Sequence, residues 1–239
     1  MTQHATLDSH AHRELRVRVD AGADLGDAVM ATLTVPNEFR NVQGHFPILF
    51  RREMGQGDFT ALAMFGFEAG ENLFLDGDRW DARYRPLSLA IQPFLIGRPA
   101  SGDGPGQVHI DLGHPRIAAD GEGVRLFDVD GVATPYLDDI AGRLGDLDEG
   151  YRASGAFFDA LCDFELLEPF SLEVTLDDGS VHSLVGFHII DEAKLQALDA
   201  DALGRLHAGG HLMPIFMALA SLSQLSALVA RKNCRLASG

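Results

Sequence analysis

Short apolar segments, some alternating with polar residues, dominate the first half of the chain. Alternation with a period of two sends successive side chains to opposite faces of a strand, so residues 29–35 and 108–112 predict β-strands. The more continuous apolar segments 46–50, 59–67 and 87–96 are further strand candidates. The polar, glycine-bearing stretch 51–58 suits a hairpin connection. Pro93 confines the second half of its segment to a sheet edge or a bend, and the Gly/Pro-rich stretch 98–106 predicts a loop.

The second half of the chain changes to helical spacing. Thr134 and Pro135 are the residue types expected at a helix N-cap and at the first helical position. Apolar residues then recur about every 3.6 positions, at Leu137, Ile140, Leu144, Leu147 and Tyr151. Gly145 and Gly150 predict a break near 145–150, with a second helix over 153–166.

The stretch 172–190 predicts a β-hairpin. Two alternating segments, 172–176 and 181–190, flank the turn sequence DDGS, which is typical of a tight connection between paired strands. Asp191 and Asp199 each predict the N-cap of a short helix. These elements together indicate an α+β fold, in which a mostly antiparallel sheet from 29–112 and 170–190 is packed by helices from 135–167 and 191–232. We expect a single domain over 1–239, with a loose N-terminal segment over residues 1–20.

The apolar segment 212–230 is long enough to cross a membrane and is followed by Arg231 and Lys232. However, Pro214, three serines and Gln224 interrupt it. Its larger apolar residues fall on one helical stripe that leaves Ser221 and Gln224 outside. We therefore expect a packed C-terminal helix, with a membrane span as the alternative.

The charge of the chain excludes some partners. The 35 acidic and 19 basic residues give a net charge of −16, and 18 of the acidic residues lie within 128–201 beside only three basic ones. A chain this acidic is unsuited to nucleic acid, whose binding needs Lys and Arg to displace counterions. The acidic stretch is interpreted as the solvated face of helices, or as a surface that attracts a basic partner.

The two cysteines do not form a disulfide framework. Cys162 lies among Phe and Leu, which predicts a buried, inert thiol, and neither it nor Cys234 belongs to a Cys-x-x-Cys pair. The N-terminus has no basic region followed by an apolar one, so we expect a cytoplasmic protein, with the cell surface, reached without a Sec signal, as the alternative.

The histidines raise one metal hypothesis. His109 and Asp111 share a strand face, and with His182 or His188 of the later hairpin they have the residue types of a non-haem iron triad. The pattern His-x-Asp is common by chance, so ordinary sheet-surface residues are the competing interpretation and no cofactor is predicted. Motifs for hydrolases, phosphate binding and dinucleotide binding do not occur in the sequence.

The most distinctive local sequence predicts a binding site. The segment 80–86, WDARYRP, holds the only Trp, and ENLF precedes it at 71–74. Trp, Tyr and Arg dominate binding hot spots because they combine large contact area with a polar group. The candidate ligand- or partner-binding residues are Trp80, Arg83, Tyr84, Arg85, Asn72 and Phe74. Alternatively, Trp80 anchors the segment onto the sheet while Arg83 pairs with an acid such as Asp81.

Several stretches along the chain resemble the bacterial SapC family. They are LDSHAHRELRV at 7–17, EF at 38–39 with HFPILF at 45–50, ENLF at 71–74 with WDARYRP at 80–86, RLFD at 125–128 with Gly131, LEPF at 167–170 and GFHIIDEAKL at 186–195. The resemblance covers nearly the whole chain in order. It supplies no catalytic residues, and the family pattern near 108–111 includes the Asp but not the His.

The resemblance implies an accessory function. Related genes lie near those for TonB-dependent receptors, flavin-dependent halogenase-like proteins and cupin-like proteins, which implies a role in nutrient uptake or in peptide and protein modification. We therefore expect a soluble, non-catalytic binding protein whose partner is a protein or peptide, either basic or associated with a halogenase-like protein or a TonB-dependent receptor. The alternatives are a surface-layer-like structural protein and a non-haem iron enzyme that uses His109, Asp111 and His182.

Overall fold

The fold is α+β with antiparallel sheets, as the sequence predicts. The computed structural model describes residues 3–53, 58–97, 106–118 and 121–238, so most of the predicted loop 98–106 lies outside the described residues. The elements are β1 (His4–Thr6), β2 (Arg16–Val17), β3 (Ala31–Thr34), α1 (Phe39–Val42), β4 (Ile48–Arg52), β5 (Phe59–Met64), β6 (Leu75–Asp76), β7 (Arg79–Trp80), α2 (Leu87–Ala90), β8 (Phe94–Gly97), β9 (Gln107–Asp111), β10 (Ile117–Ala118), β11 (Val124–Arg125), α3 (Pro135–Asp163), β12 (Leu167–Thr175), β13 (Val181–Ile190), α4 (Glu192–Ala197), α5 (Ala200–Ala208), α6 (Leu212–Ser221) and α7 (Gln224–Ser238).

The chain divides into two compact units, each made of three separate segments. The first unit comprises Met1–Ala28, Leu75–Asp81 and Leu87–Glu149, and the second comprises Val29–Phe74, Ala82–Pro86 and Gly150–Gly239. The single domain expected from the sequence stays a prediction.

Among its described residues, the first unit contains three small antiparallel sheets with the strand orders β1-β9-β8, β10-β2-β11 and β6-β7. The N-terminal segment differs from the loose chain expected for residues 1–20, because β1 pairs with β9 and β2 lies at the centre of its sheet. Buried apolar side chains from these strands, from their connections and from the first half of α3 form the core of the unit: Val17, Ile91, Phe94, Ile110, Leu126, Phe127, Leu137, Ile140 and Leu144.

The predicted strand 87–96 is only half correct. Its first part is the helical turn α2, which the amide of Ile91 closes by donating to the carbonyl of Leu87 at 3.0 Å. Pro86 precedes this turn, and proline is favourable at a helix start because its fixed φ matches the helix and its missing N–H is not needed there. Its second part is β8, an edge strand as Pro93 predicts.

The second unit is built on one five-stranded antiparallel sheet with the order β12-β13-β4-β5-β3. The predicted hairpins β4–β5 and β12–β13 are both present. Aromatic side chains pack beneath the sheet, with ring centroids 4.7 Å apart for Phe46 and Phe74 and 5.6 Å apart for Phe50 and Phe158. Edge-to-face packing of this kind stabilises a core beyond the apolar area that it buries.

Helix α3 runs unbroken through Gly145 and Gly150, so the predicted break near 145–150 is wrong. Each glycine costs about 1 kcal/mol of helix stability relative to alanine. Glycine is nevertheless favoured at position 150, because a Cβ there would lie 2.3 Å from Oδ1 of Asn37. The predicted N-cap is present: the amide of Leu137 donates to Oγ1 of Thr134 at 3.4 Å.

The C-terminal segment forms two packed helices instead of one. Helix α6 ends at Ser221 and α7 begins at Gln224. Ser221, expected outside the apolar stripe, is fully buried, where it accepts a hydrogen bond from the amide of Ile48. By length and composition alone Leu212–Ala237 could cross a membrane, with a mean hydropathy of 1.8 over its most apolar window, of which 22% is buried. The expectation of no membrane span stays a prediction.

Candidate functional site

The predicted aromatic and arginine segment is divided between the two units. Trp80 lies on β7 of the first unit, where it pairs with Leu75 in a two-stranded hairpin and is half-buried. Arg83, Tyr84 and Arg85 belong to the second unit, and Arg83 is exposed. The hydroxyl of Tyr84 donates to a carboxylate oxygen of buried Glu38 at 2.8 Å. A binding role for these residues stays a prediction.

Asn72 and Phe74 are buried, with 3% and 4% of their surface exposed. Oδ1 of Asn72 accepts a hydrogen bond from the amide of Phe74 at 3.0 Å, so it holds its own turn. The guanidinium of Arg231 lies 4.4 Å from the centre of the Phe74 ring. Lys232 is also buried and bonds to Glu71. The structure therefore gives Asn72 and Phe74 a packing role, and any contact of theirs with a partner is untested.

The residues of the iron alternative belong to different units. His109 and Asp111 are on β9 of the first unit, and His182 is on β13 of the second. Nε2 of His109 lies 3.3 Å from the Thr6 hydroxyl, whereas Asp111 accepts a hydrogen bond from the amide of Gln3 at 2.9 Å. Across the described ranges, no group of three His, Cys, Asp or Glu side chains is arranged to hold a metal ion.

Glu68, His182 and Ser180 are connected in the order acid, histidine, serine, as in the catalytic triad of a hydrolase. Nδ1 of His182 lies 2.9 Å from Oε1 of Glu68, and its Nε2 lies 3.3 Å from the Ser180 hydroxyl. However, that hydroxyl donates its proton to Oδ1 of Asp178 at 2.6 Å within the hairpin turn. A nucleophilic serine must give its proton to the imidazole, so these residues are arranged to hold the turn.

A groove in the second unit has the geometry of a binding site. It has a volume of about 360 Å³ and lies between the strands β3 and β5 and the second half of α3. Its floor is apolar: the rings of Phe59 and Phe158 stack with centroids 6.1 Å apart. We call it the acidic groove, and its lining residues are Leu33, Thr34, Glu53, Asp58, Phe59, Thr60, Ala61, Tyr151, Arg152, Ser154, Gly155, Phe158, Asp159 and Cys162.

Three exposed carboxylates stand around this aromatic floor. Glu53 and Asp58 close the β4–β5 hairpin, where the amide of Glu53 donates to the carbonyl of Asp58 at 2.8 Å. Asp159 faces the same groove from α3, one residue after Phe158. The hairpin and the helix thus bring together acids that are about a hundred residues apart in the sequence, which no local pattern could indicate.

Cys162 lies at the end of the same groove and is exposed, so the predicted buried thiol is wrong. On the helix it follows Phe157, Phe158 and Leu161, which are the side chains that enter the core. Partial burial raises the pKa of the Cys162 thiol, and the nearby carboxylate of Asp159 raises it further. A raised pKa keeps the thiol protonated at neutral pH, which makes it a weak nucleophile.

The groove offers two kinds of contact to the same ligand. A long cationic side chain can lay its methylene groups on the half-buried ring of Phe59 while its charged end meets the carboxylates. The guanidinium of Arg52 already lies 5.8 Å from the centre of that ring. The ring of Tyr151, which is 59% exposed, adds a face over which a cation can lie. The acidic stretch 128–201 indicated part of this site in the sequence, because it includes Asp159. Glu53 and Asp58 lie outside that stretch.

Comparison with known proteins identifies the family of the chain. The SapC family model matches residues 7–228 of the 239 residues. No curated protein and no solved structure matches the chain. Because the match covers more than nine-tenths of the sequence, the chain belongs to the SapC family.

Proposed function

We propose that this SapC-family protein is a non-catalytic binding protein that takes an arginine- or lysine-bearing segment of a partner protein into the acidic groove. What supports the proposal is the convergence of Glu53, Asp58 and Asp159 around the stacked rings of Phe59 and Phe158. Apolar contact alone would accept many ligands, whereas three carboxylates against one lining cation, Arg152, favour a positively charged ligand.

The overall charge assists this recognition. A net charge of −16 attracts a basic partner over distances up to the Debye length, about 8 Å at physiological salt, and raises its association rate. The groove then selects the orientation of the bound segment, because its cation must meet the carboxylates while its apolar part contacts the aromatic rings.

The partner is expected to be a protein or peptide linked to uptake through a TonB-dependent receptor or to a halogenase-like protein, and the complex is expected in the cytoplasm. Fractionation of host cells tests that location, and a surface-layer-like protein would be recovered from the cell envelope.

Binding of a fluorescein-labelled hexa-arginine peptide tests the groove directly. The triple variant Glu53→Gln, Asp58→Asn, Asp159→Asn removes the rim charges without removing side-chain volume. Each exposed ion pair contributes about 0.2–1 kcal/mol, so we expect the dissociation constant to rise about tenfold. A hexa-glutamate peptide should not bind to either protein.

A matched variant distinguishes binding in the groove from attraction by the net charge of the chain. Glu149, Glu173 and Asp177 are exposed and lie outside the groove, so Glu149→Gln, Glu173→Gln, Asp177→Asn changes the net charge by the same amount. We expect this control to weaken binding less than threefold. Equal weakening by both triples would mean that the peptide follows net charge alone, and the groove assignment would be withdrawn.

A further inference from the structure

A second groove in the same unit has the opposite charge character. It has a volume of about 320 Å³ and lies where α1, the second half of α3 and the start of α6 meet. We call it the Arg40 groove, and its lining residues are Pro36, Asn37, Arg40, Ala153, Phe157, Gly209, Gly210, His211, Met213, Pro214 and Met217. In a chain with 35 acidic residues, this described lining holds no acid.

Arg40 is the charged group of this groove. It is exposed at the rim, and within the described part of the chain its guanidinium makes neither an ion pair nor a hydrogen bond. His211 adds little positive charge at neutral pH, because burial lowers the pKa of its imidazole. The available cation therefore stands alone beside an apolar surface.

The rest of the lining is mostly apolar, with Asn37 and His211 as its polar side chains. The ring of Phe157 is 1% exposed and packs against the ring of His211, with centroids 6.0 Å apart. The turn before α6 needs glycine twice, since Gly210 has a φ of +75° and a Cβ on Gly209 would lie 2.6 Å from the His211 ring. Met213, which is 50% exposed, supplies a flexible wall that can follow the shape of an apolar ligand.

We propose that the Arg40 groove binds a free medium-chain fatty carboxylate, with the alkyl chain along Ala153, Met213 and Met217 and the carboxylate at Arg40. An apolar groove with one unpaired guanidinium complements a molecule that is apolar along its length and negative at one end. The volume is near the lower end of the range for small-molecule pockets, about 300–1,000 Å³, which favours a single short chain. This site is separate from the acidic groove in residues and in ligand charge, so it goes beyond the proposed function and each can fail without the other.

Calorimetric titration with octanoate, below its micelle concentration, tests the proposal on the full chain. Octanoate has two more methylene groups than hexanoate, and each of them should tighten binding about fourfold. Arg40→Gln should weaken octanoate about fivefold and leave 1-octanol unchanged. Arg143→Gln, which removes a partly exposed arginine paired with Asp139 on α3, is the matched control and should have no effect. Equal weakening by Arg40→Gln and Arg143→Gln, or the absence of saturable binding, would overturn the proposal.

Two further measurements locate the alkyl chain. Ala153→Leu fills the groove from a helical position that tolerates leucine well, and it should abolish binding of octanoate and 1-octanol alike. If that variant does not fold, the wild-type protein with ¹³C-labelled methionine methyl groups gives the answer by NMR. Octanoate should shift the methyl signals of Met213 and Met217 and leave those of Met30 and Met64 unchanged. Shifts of all four methyl groups, or of none, would contradict the assignment.

Discussion

Arg116 and Asp27 form a buried two-point ion pair in the first unit. Nη2 of Arg116 lies 2.8 Å and 2.7 Å from the two carboxylate oxygens of Asp27, and neither side chain is more than 2% exposed. The other terminal nitrogen, Nη1, donates to the carbonyls of Arg18 and Asp20 at 3.0 Å and 2.8 Å. One side chain thus holds the whole segment from Arg18 to Asp27 against the strand that follows Arg116.

Loss of either partner should destabilise the protein strongly. Arg116→Met removes the guanidinium that pairs with the buried Asp27 carboxylate. Asp27→Leu removes the carboxylate that pairs with the buried Arg116 guanidinium. Breaking a buried pair in this way costs about 3–5 kcal/mol of unfolding free energy. Urea denaturation followed by circular dichroism measures the loss.

The double variant Arg116→Met, Asp27→Leu is the informative control. It removes both charges, so it should be less destabilised than either single variant. A double variant whose loss equals the sum of the two single losses would show that the residues do not act as a pair.

Asp111 should make stability depend on acid pH. The backbone amide of Gln3, followed by that of Gly113, holds the pKa of the Asp111 carboxyl below its usual range. A carboxyl whose pKa is lower in the folded state stabilises the protein above the unfolded value of about 3.9, and this contribution is lost as the pH falls through the folded value.

Asp111→Asn should therefore lower the unfolding free energy at pH 7 and make the fall of stability below about pH 4 less steep. The measurement is thermal unfolding between pH 2.5 and 7. Asp201→Asn removes an exposed carboxylate on α5 and is the control for charge. If the acid slopes of Asp111→Asn and the wild type coincide, Asp111 contributes nothing to this pH dependence.

The sequence predicted those parts of the fold that depend on local patterns. The strands β3 to β5, the hairpin β12–β13 and the caps at Asp191 and Asp199 each follow from a few adjacent residues, and both aspartates accept the expected backbone hydrogen bonds. The acidic groove could not be found in this way, because its carboxylates come from residues 53, 58 and 159. The predicted helix break at Gly150 was wrong for the same reason. Glycine fits this position because of the neighbouring Asn37, which lies far away in the sequence.

Two glycines on α3 should respond in opposite ways to alanine. A Cβ on Gly145 would meet no atom within 4 Å, whereas one on Gly150 would lie 2.3 Å from Asn37 and 2.6 Å from Val35. Gly145→Ala should therefore stabilise the protein by about 0.5–1 kcal/mol through helix propensity. Gly150→Ala should destabilise it by about 1–3 kcal/mol, because Asn37 or the helix must shift. Chemical denaturation of both variants checks the signs, and equal gains at both sites would mean that Asn37 moves away freely.

The residues predicted to bind a ligand or partner should separate into structural and binding groups. Phe74→Ala removes a buried ring from the aromatic core and should cost about 3–5 kcal/mol. The double variant Trp80→Ala, Arg83→Ala should stay folded, since Trp80 is half-buried and Arg83 is exposed. If these two residues contact the partner, the double variant should lose affinity capture of the proteins that the wild type retains from its host. Capture at the wild-type level would remove Trp80 and Arg83 from the contact surface.

Two serines close to one another in the C-terminal segment provide the sharpest test of its packing. Ser221 is fully buried, accepts a hydrogen bond from the amide of Ile48 at 2.9 Å and donates to the carbonyl of Ala218 at 2.6 Å. Ser223 is exposed and donates to the carbonyl of Ala220 at 2.9 Å. Ser221→Ala leaves the Ile48 amide buried without an acceptor, so it should cost about 1–3 kcal/mol, whereas Ser223→Ala should change stability by less than about 0.5 kcal/mol. Urea denaturation compares the two, and hydrogen exchange at Ile48 should quicken only in Ser221→Ala. Equal, small effects would mean that α6 does not pack against β4 in solution.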